Sequence, residues 1–579
     1  MNMRFARISA LSLAVLMASG CATSTFTRTA PPEQSAALSL LEQGNPREAA
    51  QQLEAQAATA KGANRSRLLA DAGFAWHEAG DDNRARTLIS EVNTRQLAVD
   101  GKARFNLLQA ELAIASQQPA QALPMLADPA QAQALSAALQ PRWHLARGLA
   151  LEASGDSYNG ALERARADAG LDPTQRSSNQ QAIVRTLARL DDASLANQAA
   201  ALPVGEPLYN FAGRALISRG LPLPRAFDRG EQWGPDTSKR PPADADGYRP
   251  PLKLAVLLPL TGKLATAAAP VRDGLLTGYY AENRRRPEID FFDTSGTAAG
   301  ANAAYDKAIA AGADYVVGPL SRDEVSALYA RPQLQVPLLA LNRPSDGKAP
   351  PLGSAGFSLA PEDDGIIAAE YLLAHEHRNV LVIGSNDDSG QRTVQAFEQR
   401  FSERGGQIAG SVSVAANPGD ISAKLQAYGN ADAVLLAVRG STARQLAPQL
   451  ALAGLGGRSL VGTSQLILGT GKANDDVVLD GIVFPTESWS QHGLRGLPDA
   501  NTVAASLPSA RGAAARLFAF GHDAWTITAY LEKLANGSDG GLPGATGVLH
   551  LDGFGNILRT PAWSTFSNGQ PVPIAGNGG

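Results

Sequence analysis

The sequence predicts a multi-domain chain of two textures: an all-α region of paired helices, then an α/β region built as two lobes. Three observations carry this expectation. From Gln34 to Ala200 the chain is rich in Ala, Leu, Gln, Glu and Arg and has almost no strand-like alternation. From Leu252 onward, short apolar runs alternate with helical patterns, the mark of parallel strands covered on both faces. Between the two, residues 218–251 hold seven prolines and no periodicity. A chain of 579 residues is also too long for one core, so several domains are expected.

In the first region a unit recurs: an apolar-periodic helix, a short polar break and a second helix. The breaks are Gly44-Asn45-Pro46, Gly80-Asp81-Asp82, Gln117-Gln118-Pro119 and Gly155-Asp156-Ser157, spaced 36, 37 and 38 residues apart. Such residues suit helix ends and turns. This period with paired helices resembles a tetratricopeptide-like solenoid, assigned to residues 34–217. Solenoids usually present a binding surface and seldom do chemistry. His77 and His144 each follow a Trp and read as packing or surface residues, not ligands.

Proline fixes φ and removes a donor, so 218–251 should be extended and semi-rigid. It reads as an inter-domain linker with room to drape over one domain.

In 252–579 the candidate strands are 252–258, 289–292, 314–317, 337–341, 380–383, 407–414, 433–438, 459–462 and 481–484. Helical patterns separate most of them, among them 302–311, 363–374 and 392–403. Pro361 followed by Glu362, Asp363 and Asp364 marks a helix start, with negative charge at the positive end of the dipole. A break around 355–362 divides the strands into two sets, hence two Rossmann-like lobes.

At the N-terminus, Arg4 and Arg7 precede an apolar run from Ile8 to Ala18, and Leu16-Met-Ala-Ser-Gly-Cys21 ends on the only cysteine of the chain. The run of about 11 residues has the length of a signal-peptide core and falls short of the ~20 needed to span a bilayer. The arrangement resembles a bacterial lipoprotein signal peptide with its lipobox. That resemblance implies a leader over 1–20, lipidation of Cys21 and a tether over 21–33. Ala22 follows the cysteine, which by the same resemblance implies the outer membrane and its periplasmic face. Formal net charge is −4, and losing Arg4 and Arg7 takes it to −6, with 49 basic against 55 acidic residues. This argues against a nucleic-acid or polybasic membrane-surface role.

The string Leu254-Ala-Val-Leu-Leu-Pro-Leu-Thr-Gly262, then Val271-Arg-Asp-Gly274, resembles the opening of a type I periplasmic-binding-protein lobe. Gly312-Ala-Asp-Tyr-Val-Val-Gly-Pro-Leu320, Val336-Pro-Leu-Leu-Ala-Leu-Asn342, Phe357-Ser-Leu-Ala-Pro-Glu-Asp363, Asp480-Gly-Ile-Val-Phe484 and Arg516-Leu-Phe-Ala-Phe-Gly-His-Asp-Ala524 are similar to the narrower LppC family. So are Leu551-Asp552, Asn556-Ile-Leu-Arg559 and Trp563 near the end. The resemblance implies a lipid-anchored regulator, not an enzyme. Its implied partner is a class A penicillin-binding protein, a bifunctional peptidoglycan synthase whose transpeptidase cross-linking it stimulates. One departure is Pro485-Thr-Glu-Ser-Trp489, with a single aromatic where the family pattern is aromatic-rich. The lobe pattern alone would also fit a solute-binding receptor of an ABC transporter. The helical repeats and the outer-membrane address speak against that alternative.

No catalytic residues, metal or cofactor are expected. Ser345-Asp-Gly-Lys348 has the S-x-x-K spacing of penicillin-interacting enzymes, but Pro350 and Pro351 forbid the helix which that chemistry needs. His375-Glu376-His377 lacks the i, i+4 spacing of zinc proteases. Ligands of doubly wound folds bind beyond the C-terminal ends of strands. That criterion selects Thr261, Ser321, Asn342, Asn386 and Ser464 as a vestigial cleft, with a small-molecule ligand left open.

Overall fold

The computed structural model describes residues 32–229, 240–537 and 541–574. The leader, Cys21 and nearly all of the tether lie outside the described residues. The chain divides into two compact units, Met1–Ser136 and Ala137–Gly579.

In the first unit the main helices are Pro32–Glu42, Pro46–Thr59, Gly62–Glu78, Asp82–Ile89 and Val99–Ala115. The break residues share one stop signal. Gly44, Gly80 and Gln117, and Gly155 in the second unit, are all left-handed, with φ of 81°, 79°, 59° and 89°. At each break that residue's N–H donates to the carbonyl three residues back, and the next N–H to the carbonyl five back: Gly44 to Leu41 and Asn45 to Leu40, Gly155 to Glu152 and Asp156 to Leu151. This is the Schellman pattern. The following helix starts either with proline at its first turn, as at Pro46 and Pro119, or with a capping aspartate. Asp81 accepts from Arg84 N–H at 3.0 Å and Asp156 from Asn159 N–H at 3.3 Å.

The second unit begins with the helices Gln140–Ala153, Ser157–Ala167, Pro173–Ala188, Asp192–Ala201 and Leu208–Ser218. The strands that follow are β1 (Lys253–Leu258), β2 (Glu288–Asp293), β3 (Tyr315–Val317), β4 (Leu338–Ala340), β5 (Ala355–Gly356), β6 (Asn379–Ser385), β7 (Gln407–Val414) and β8 (Ala433–Ala437). Then come β9 (Ser459–Gly462), β10 (Val483–Thr486), β11 (Leu542–Pro543), β12 (Val548–Leu551), β13 (Ile557–Thr560), β14 (Ala562–Ser567) and β15 (Gln570–Pro573).

Lobe 1 is a five-stranded parallel sheet in the order β2-β1-β3-β4-β5. Lobe 2 runs β15-β14-β10-β9-β8-β6-β7. Its five parallel strands β6–β10 repeat the order of lobe 1, and β14 and β15 add antiparallel edges. The small antiparallel sheet β11-β12-β13 belongs with lobe 1, because Leu549, Leu551 and Ile557 enter that core beside Leu254, Val256 and Phe357. The helix Ala514–Asn536 also returns to lobe 1 and crosses the helix Ala265–Ala281 at two glycines. A Cβ on Gly274 would stand 1.9 Å from Phe518 O, and one on Gly521 1.9 Å from Val271 O, so only hydrogen fits at either. The chain therefore crosses between lobes three times: at 357–360, at 487–513 and at Pro561.

The compact units part after Ser136, so the helices from Gln140 to Ser218 sit in the same unit as the α/β lobes. The described parts of 218–251 form a strap whose side chains are built into the fold. Phe227 and Tyr248 are buried, and Tyr248 joins the lobe 1 core. Arg249 N–H donates to Ala529 O at 2.8 Å, and Arg240 Nε to Asp314 Oδ2 at 2.9 Å. Proline density marked the segment as aperiodic, but periodicity does not register a single buried aromatic. Among the described residues no helix is long and apolar enough to cross a membrane.

Candidate functional site: the ion cluster at the lobe crossings

Of the five strand-end residues, four are engaged locally. Thr261 Oγ1 donates to Asp293 Oδ2 at 2.5 Å. Asp293 also accepts N–H bonds from Leu260, Thr261 and Ser295, which ties the loops after β1 and β2 together. With the Thr261 hydroxyl as the main cause, the Asp293 carboxyl is held down at about 2. Ser321 caps the helix Arg322–Tyr329 in a reciprocal capping box with Glu324. Asn342 Nδ2 donates to Leu320 O, and its Oδ1 accepts from Arg343 N–H, each at 2.9 Å. Asn386 is exposed, and its backbone N–H donates to Val414 O at 2.9 Å.

Ser464 is different. It is buried after β9, and its hydroxyl donates to Asp364. Asp364, 2% exposed, is the centre of an ion cluster that sequence reasoning missed. Arg516, in the first turn of the helix Ala514–Asn536, places Nη2 3.4 Å from Asp364 Oδ1. Arg559 on β13 brings its Nη2 to 3.8 Å of the same oxygen. Glu487, just past β10, lies 3.5 Å from Arg516 Nε. One residue earlier, Asp363 accepts from Arg343 Nη2 at 2.8 Å with both oxygens. The three acids 363, 364 and 487 thus face three arginines, 343, 516 and 559, and the formal charges cancel. Such pairing is what makes burial of charge tolerable.

The position of this cluster follows from topology. Asp363 and Asp364 lie just beyond the first crossing, Glu487 opens the second, and Arg559 stands two residues before Pro561 at the third. The acids are on the lobe 2 side; Arg343, Arg516 and Arg559 are on the lobe 1 side. Burial opposes the charge of Arg516, but Asp364 and Glu487 outweigh it and hold the guanidinium above its ordinary value. Arg559 moves the other way, lowered first by burial and then by the charge of Arg516. The run Glu362-Asp363-Asp364 was legible as a helix start. Its further role was not, because each acid pairs with an arginine distant in sequence; Glu362 takes Arg392, with Nε 2.8 Å from Oε1.

The other chemical motifs resolve into structure. Residues 345–348 lie in a loop, where Lys348 pairs with Asp346 at 3.1 Å. His375 ends a helix and stacks on Tyr371. His77 Nδ1 lies 2.7 Å from Asp82, and His144 Nδ1 2.6 Å from Glu163. Trp489, the single aromatic of its segment, is buried against Phe518, with Nε1 donating to Pro498 O at 2.8 Å. Among the described residues no group of three or more His, Cys, Asp or Glu side chains could hold a metal ion.

Residues 248–569 match the family described as "LppC putative lipoprotein". A penicillin-binding protein activator LpoA of Photobacterium profundum is 26% identical over 362 residues, covering 56% of this chain and 57% of the relative. The protein of that name from Haemophilus influenzae is 26% identical over 338 residues, covering 56% and 55%. The chain thus spans a little over half the length of these curated relatives. A crystal structure of Haemophilus influenzae LpoA superposes with a TM-score of 0.52 at 18% identity, over 91% of this chain and 98% of that one. That likeness shares the fold: helices first, then two α/β lobes. The match to the family takes in the end of the strap, lobe 1, lobe 2 up to β14, all three crossings and every member of the ion cluster, and on it the chain belongs to the LppC family.

Proposed function

We propose that this protein is an outer-membrane lipoprotein, anchored through Cys21, that binds a class A penicillin-binding protein and stimulates its transpeptidase cross-linking of peptidoglycan. The observation that carries the reading is the family match over residues 248–569, with curated relatives named as penicillin-binding protein activators. The site geometry is in keeping with a binding role. At the lobe crossings carboxylates and guanidinium groups are spent on one another, and the strand-end residues Thr261, Ser321, Asn342 and Ser464 bond within the protein. The lipid anchor, the leader over 1–20 and the tether over 21–33 remain part of the proposal, as does the assignment of 34–217 as a spacer and 252–579 as the effector.

The test is retention of a bifunctional peptidoglycan synthase from detergent-solubilised membranes by purified residues 22–579. It is followed by cross-linking of lipid II polymer by that synthase with and without the protein. Retention with increased cross-linking supports the reading. Recovery of an ABC permease instead would favour a solute receptor, and no effect on cross-linking would remove the activator assignment.

A further inference from the structure

The helix Leu208–Ser218 is about 16 Å long at 1.5 Å per residue, and it touches both lobes. On the lobe 1 side it receives the tip of the β12–β13 hairpin. Phe554 packs edge-on against Phe211 with centroids 4.8 Å apart. Arg214 lies over the Phe554 ring at 5.3 Å and reaches Asp552, whose side chain is fully buried, at 3.2 Å. Gly553 sits so close that a Cβ there would stand 2.1 Å from Asn210.

At its other end the helix is joined to lobe 2. Arg219, its C-cap residue, has a side chain 1% exposed and donates to Leu187 O, Leu190 O and Asp192. Arg404, which ends the lobe 2 helix Asp388–Glu403, donates to the same two acceptors: Leu190 O at 3.1 Å and Asp192 Oδ1 at 3.2 Å. Glu370, buried on the lobe 2 helix Pro361–Ala374, lies 3.4 Å from Arg404 and 3.5 Å from Arg400.

We propose that the helix Leu208–Ser218 is a clamp that fixes the angle between the two lobes, so that the α/β domain serves as a rigid scaffold and not as a clamshell. A two-lobed receptor closes by rotating one lobe about the crossings. Here such a rotation would pull the Phe554 tip from its seat or separate Arg404 from Asp192, while also moving Asp364 against Arg516. Interfaces of this kind are bistable and do not stretch continuously.

Spin-label distances in the mature chain test it. Residues 22–579 contain no cysteine, so Lys307→Cys in lobe 1 and Leu452→Cys in lobe 2, both exposed, give one defined pair. Lys307→Cys with Tyr280→Cys gives a control within lobe 1. The intact chain should show one narrow interlobe distance. The added changes Arg404→Ala and Phe554→Ala should introduce a second population at a different distance while the control pair holds. If the control pair also broadens, the milder pair Arg404→Lys and Phe554→Leu is read by the same criterion. A broad or bimodal interlobe distance in the intact chain would overturn the proposal. So would an interlobe distance unchanged by release of both joints.

Discussion

Asp364 and Arg516 meet at 3.4 Å across the first crossing between the lobes, the carboxylate buried at the N-terminus of a lobe 2 helix and the guanidinium in the first turn of a lobe 1 helix. Removing one partner of such a pair leaves the other charge buried without compensation. Asp364→Asn should therefore destabilise the second compact unit by about 3–5 kcal/mol, more than an exposed pair would cost. Urea unfolding measures it. A loss no greater than that from breaking the exposed Lys348–Asp346 pair would mean that the cluster is not structurally coupled.

Gln117 is the one break residue that is not glycine, yet its φ is 59°. A left-handed side-chain-bearing residue costs about 1 kcal/mol where glycine does not. Gln117→Gly should stabilise the end of the helix Val99–Ala115 by roughly 0.5–1 kcal/mol. Hydrogen exchange of the amides of 113–118 should slow. Faster exchange there would contradict the shared cap geometry.

Tyr248 ties the strap to lobe 1: its ring meets Tyr530 and Arg284, and its hydroxyl donates to Arg285 O at 2.8 Å. Tyr248→Ala should cost about 3 kcal/mol, as for other large buried aromatics. A fragment starting at 252 should melt below one starting at 240. Equal melting of the two fragments would show that the strap is only a tether.

Asp293 gives a pH signature. Its folded value of about 2 lies below the ordinary ~3.9, so its bonds add stability above about pH 4 that fades as pH falls toward 2. Thr261→Val removes the main donor. The variant should be slightly less stable than the parent at neutral pH, the carboxylate being exposed, and the gap should narrow toward pH 3. A gap that widens on acidification would have the wrong sign.

Cys21→Ser should abolish incorporation of labelled fatty acid, since Cys21 is the sole cysteine and follows an apolar leader pattern. Unchanged labelling would end the lipoprotein reading.

Much of the α/β fold was legible in the chain. Nine strands were expected from apolar runs; Gln407–Val414 and Ser459–Gly462 agree to the residue, and the others within about two. Apolar alternation and helix starts are local signals, so a local reading finds them. The ion cluster was not legible in the same way. Asp364 and Arg516 are 152 residues apart; Asp364 read as a helix-start charge, and nothing local to either residue pointed to the other.

By itself the sequence determined the helix stops at Gly44, Gly80 and Gly155, the order of strands and helices along the chain, and the leader pattern before Cys21. Each depends on backbone conformation or on side-chain pattern within a few residues. Only the tertiary structure decided where the compact units part, that Tyr248 belongs to a core, that Phe554 seats on Phe211, and that three acids meet three arginines at the crossings. Those outcomes depend on which surfaces exclude water together. That is a property of the packed chain and not of any segment of it.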